Sequence, residues 1–163
     1  NDRIYQYTLS TPWNISTASY SSVSLLVSGQ SATPRNIFFN TDGTKLFMVG
    51  ENSYAYQYSL SSAWNLATAT YDSVSLDLTE EITSALGVCF NDDGTRMYIG
   101  GVPSEVHQYS LSSAWDLSSA VYESIFLDTT AQLRPAGIFF KSDGRKFYAM
   151  SEALAKVFQY SVG

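Results

Sequence analysis

The sequence holds one cysteine and one histidine among 163 residues. A lone cysteine excludes an intrachain disulfide, and with a single histidine it leaves too few ligands for a zinc site. No Ser-His-Asp set can be drawn except through His107. Lysine and arginine total nine and form no run, against fifteen acidic residues, for a net charge of −6. Such a surface lacks the basic footprint of a phosphate-backbone binder, so no nucleic acid partner is expected. No apolar stretch approaches the roughly 20 residues that cross a bilayer, so no membrane span is expected. A glycine-rich phosphate loop is also missing, and no cofactor or metal is expected. No signal peptide is visible, and the start at Asn1 reads as a processed protein or as a piece of a longer array.

What is present is apolar, aromatic and repetitive. Hydrophobic residues make up 45% and charged residues 15%, which excludes intrinsic disorder. The twelve tyrosines suit strands, where flat rings pack on a pleated surface. The length fits one domain with a real core. Abundant Ser and Thr with few charges point to an extracellular or virion surface.

Gln6-Tyr7, Gln57-Tyr58, Gln108-Tyr109 and Gln159-Tyr160 recur with a step of 51 residues, as do Trp13, Trp64 and Trp115. Self-similarity at that period marks copies of one supersecondary unit. In the complete second copy, Arg35–Asn40 reads as a buried strand, Asp42-Gly43 as a tight turn, and Lys45–Gly50 as the returning strand. Tyr54, Tyr56 and Tyr58 share one face of a third strand, and Val74, Leu76 and Leu78 alternate along a fourth. The connector between them carries Trp64 and at most one helical turn. The unit predicts an all-β fold: a β-propeller of four-stranded antiparallel blades, about 50 residues each.

The chain is cut out of phase with its repeat. It begins in a third strand (Arg3–Leu9), runs through two whole units, and ends on a third strand again. Residues 1–163 therefore read as one half-ring domain of three permuted repeats with one surplus strand. Three blades cannot close a ring, and open ends leave bare sheet edges. A homodimer of six blades is expected.

The pattern Phe-Asn-x-Asp-Gly-Thr-Arg/Lys, then Gln-Tyr-Ser-Leu-Ser-Ser-Ala-Trp, then Tyr-x-Ser-Val-Ser-Leu, resembles tandem repeats of uncharacterised propeller proteins from marine bacteria and phages. That resemblance covers almost the whole chain and implies no activity. The hairpin Asn40–Phe47 alone is similar to that of lactonase-like propellers.

Comparing repeats removes most candidate chemistry. His107 takes the place of Tyr5, Tyr56 and Phe158, and Cys89 that of Phe38 and Phe139, so both read as packing residues. Asp42, Asp93 and Asp143 read as turn carboxylates that accept backbone bonds. The Gln of each pair reads as a bond between blades. What remains is a channel-face rim of Arg35, Glu51, Glu80, Glu81, Arg134 and Glu152, on loops where the repeats differ. Trp13, Trp64 and Trp115 read as packing between blades, with carbohydrate stacking as the alternative. The expected function is a non-catalytic binding or adhesion scaffold for a surface polymer or a partner protein. A propeller lectin is the first alternative. A lactonase-like hydrolase is the second, held back by the absence of a site histidine and of paired site residues.

Overall fold

The computed structural model describes residues 2–129, 134–151 and 154–161. Thirteen strands form four antiparallel sheets. The first pairs β1 (Arg3–Leu9) with β2 (Ala18–Leu26). The second runs β3 (Pro34–Phe39), β4 (Lys45–Gly50), β5 (Tyr54–Leu60) and β6 (Ala69–Asp77). The third runs β7 (Ser84–Phe90), β8 (Arg96–Val102), β9 (Glu105–Leu111) and β10 (Ala120–Asp128). The fourth has three strands, β11 (Pro135–Phe140), β12 (Lys146–Ser151) and β13 (Lys156–Ser161).

Each sheet is built by local turn chemistry. In the β3–β4 hairpin Asp42 accepts from the Thr44 amide at 2.9 Å, and Gly43 takes a φ of 74° that a side chain would resist. Asp93 with Thr95 and Asp143 with Arg145 repeat the arrangement, as the sequence predicts. The connectors Ile15–Thr17, Leu66–Thr68 and Leu117–Ser119 are single 3-10 turns, capped by Asn14, Asn65 and Asp116. Just before each cap, Trp13, Trp64 and Trp115 hold φ near 63°, a left-handed backbone that bulky residues seldom adopt.

Bulges on β2, β6 and β10 insert two residues opposite the first three Gln-Tyr pairs. On β6 the bulge swings Asp72 over β5, where it accepts from Gln57 (2.8 Å), Ser59 (2.9 Å) and Lys45 (3.1 Å). Burial pushes the Asp72 carboxyl up, but these donors outweigh it and hold it below its ordinary value.

The core lies between sheets. Val27, Leu46, Met48 and Tyr58 fill the gap between the first and second. Phe47, Phe90, Met97 and Ile99 fill the next, and Val106, Phe147 and Ala149 the last. Each of the large aliphatic, Met and Phe side chains among them contributes about 1.5–3 kcal/mol on burial. The glutamines bridge the same gaps, as expected: Gln6 accepts from the Leu66 amide at 2.9 Å and Gln57 from the Leu117 amide at 2.8 Å. Cys89 is buried in β7, and burial pushes its thiol up to about 12. No helix of the described residues is long and apolar enough to cross a membrane.

Candidate functional site on the loop face

The loop after β4 and the loop from β2 to β3 meet on one face. The Glu51 amide donates to Thr33 O at 3.1 Å, and the Asn52 side chain donates to Gln30 O at 2.9 Å. Pro34 starts β3, so Arg35 leaves this face in a fixed direction and its guanidinium pairs with the Glu51 carboxylate. The Arg35 bond is the main force holding the Glu51 carboxyl below its ordinary value, and Arg134 adds a weaker pull. Arg134 comes from the loop before β11, two sheets along, where its amide reaches Ser104 Oγ at 3.3 Å. One carboxylate thus lies in the field of two guanidinium groups. Arg35 and Arg134 are exposed, so the cluster is open to a solute.

Of the other rim residues, the two described ones, Glu80 and Glu81, do not join it. Glu81 turns toward the third sheet, where the Tyr109 hydroxyl donates to it at 3.4 Å. Glu80 is exposed on the β6–β7 loop. Glu152 lies outside the described residues.

Trp115 has the packing role read for it, against Phe38 of the second sheet and Phe90 of its own. Trp64 lies on Phe39 in the same way, whereas Trp13 is fully exposed. His107 is buried in β9 between Tyr122 and Phe126, consistent with a packing residue. The sequence reading missed its polar partners, Glu105 at 2.9 Å and the Tyr122 hydroxyl at 3.1 Å. The signal was available: Glu105 and His107 are two apart on a strand and share a face.

Chemically, the Arg35–Glu51–Arg134 cluster suits an oxyanion or a polarised carbonyl, because guanidinium donors are planar and always charged. The carboxylate stays ionised at neutral pH and orients Arg35.

No protein-family model and no curated protein matches the chain. Solved structures do. A provisional 6-phosphogluconolactonase from Bacteroides fragilis superposes with a TM-score of 0.69 at 12% identity, over 99% of this chain and 45% of that one. Its counterpart from Bacteroides uniformis gives 0.66 at 13%, with 99% and 45% covered. The periplasmic gluconolactonase of Pseudomonas aeruginosa gives 0.68 at 11%, with 99% and 44%. These likenesses establish an all-β, propeller-type fold, and the chain spans less than half the length of each. They also overturn the expectation of a non-catalytic scaffold, because the fold is shared with proteins described as lactonases. Arg35 and Glu51, 16 residues apart in the chain, meet on the loop face as a pair that the expectation did not include.

Proposed function

We propose that the loop face hydrolyses the ring ester of a sugar lactone. The observation that carries this reading is the Glu51 carboxylate paired with Arg35 on an open face, with Arg134 adding a weaker electrostatic pull on it. In the proposed step the guanidinium groups donate to the lactone carbonyl oxygen. Water adds to the acyl carbon, and the tetrahedral oxyanion is held by the same donors. Collapse breaks the bond to the ring oxygen, which takes up the proton given up by the attacking water, and the product is an open-chain hydroxy acid. Glu51 orients Arg35 and accepts a hydrogen bond from the incoming water.

Acid release from gluconolactone and 6-phosphogluconolactone near neutral pH is the test. Release above the buffer rate, falling about a hundredfold in Arg35→Ala and partly kept in Arg35→Lys, is the expected result. A wild-type rate equal to that of buffer overturns the reading.

We further read the complete ring as six blades from two copies. One of the two third-strand copies, β1 or β13, then gives way at each junction.

A further inference from the structure

We propose that the connector Trp13-Asn14-Ile15 of one copy inserts into a cavity between the third and fourth sheets of a second copy. The cavity measures about 730 Å³ and is lined by Gln108, Phe140, Lys141, Gly144 and Tyr98, among others. The inference rests on the two-copy ring and names the residues that would lock it.

The same joint is already made twice inside the chain. In the second sheet Trp64 lies so tightly over Gly43 that a Cβ there would meet the indole at 2.3 Å. Its amide donates to Gly43 O at 2.9 Å, and its ring lies 5.1 Å from Phe39. In the third sheet Trp115 covers Gly94, where an added Cβ would meet the indole at 2.2 Å, and it donates to Gly94 O at 3.0 Å and lies 5.2 Å from Phe90. Two residues beyond each Trp, an amide reaches the glutamine of the preceding sheet: Leu66 to Gln6 and Leu117 to Gln57.

The fourth sheet holds the receiving half without an insert. Gly144 has the same left-handed turn, with φ at 70°, yet none of the described residues lies within 4 Å of where its Cβ would be. Phe140 stands where Phe39 and Phe90 stand. Gln108 donates to Glu123, as Gln57 does to Asp72, but no amide of the described residues donates to its carbonyl. Ile125 and Phe126 line the same cavity and are exposed.

The first sheet holds the insert without a receiver. Trp13 is 100% exposed where Trp64 is 53%, and Ile15 is 85% exposed where Leu66 and Leu117 are 5% and 2%. Asn14 caps the turn and Trp13 keeps its left-handed backbone, so the insert has the shape of its two seated counterparts. Insert and seat belong to the first and last sheets, with two sheets between them in the chain. In the two-copy ring each copy offers its insert to the other's seat, with Ile15 N–H donating to Gln108 and Trp13 over Gly144.

Sedimentation velocity over a concentration series tests this on the full chain, with Trp13→Ala and Ile15→Asp as separate variants. Both side chains are exposed in the single copy, so dilute samples should unfold at an unchanged Tm. The expected result is a dimer whose dissociation constant rises at least tenfold in each variant, with wild-type tryptophan quenching by acrylamide decreasing on association. A wild-type monomer at every concentration overturns the two-copy ring. A dimer that survives both substitutions overturns the seat alone and leaves the ring standing. Lactone hydrolysis, assayed separately, bears on neither result.

Discussion

The middle of this chain and its two ends are made of the same parts in different states of completion. Between the second and third sheets every element is present: an indole on a glycine turn, a glutamine between an amide and a carboxylate, and a closed aromatic core. At the N-terminal end the indole stands in solvent, and at the C-terminal end the glycine turn is bare. Because the parts repeat, the difference isolates what the joint contributes from what each strand contributes. A turn keeps its backbone geometry without its indole. A buried core needs both neighbours.

Alanine at the turn glycines should break the comparison most sharply. Gly94→Ala drives a methyl into the Trp115 ring and strains the turn, and a loss above about 3 kcal/mol is expected from overpacking and strain together. Gly144→Ala adds only the left-handed strain, about 1–2 kcal/mol. Urea unfolding at concentrations where copies are separate should resolve the two. Equal losses would mean that Trp115 can leave Gly94 without cost.

The glutamines give the next contrast. Gln57→Leu leaves the buried Leu117 amide without an acceptor and removes a donor from Asp72, for about 2 kcal/mol. Gln108→Leu orphans no amide in the single copy, so about 1 kcal/mol is expected from the loss at Glu123. Native-state hydrogen exchange at Leu117 would show the first effect directly.

The smallest effect is the pH dependence of the Asp72 network. Its folded pKa is lowered, so its contribution is present above the unfolded value near 3.8 and is lost as pH falls through the folded one. Asp72→Asn should flatten the acid limb of the stability profile and cost about 1 kcal/mol at neutral pH. An unchanged acid limb would assign it to other carboxylates.

Much of the fold was legible because the repeat supplied its own alignment. The strand read at Arg35–Asn40 is β3, Pro34–Phe39, and the turn carboxylates and bridging glutamines have the roles read from their spacing. The site was legible only as a set of loop residues. Arg35, Glu51 and Arg134 come from two loops and two sheets, and their convergence depends on how the sheets stack, which a local pattern does not encode. The Asp72 contact was hidden for a related reason. A two-residue bulge moves that side chain off the face that strict alternation assigns. Glu81 was read with the rim because its loop is there, but its neighbour on β9 is Tyr109.

The left-handed tryptophan backbone has a kinetic consequence. A connector that had to fold around its target would form the joint slowly, with the ordering cost falling at the moment of contact. Trp13 holds the same φ, 63°, as the seated Trp64, although nothing covers it. Its conformational entropy is spent during folding, before any encounter. Whatever meets that end meets a finished shape, and docking there is a rigid-body event limited by orientation.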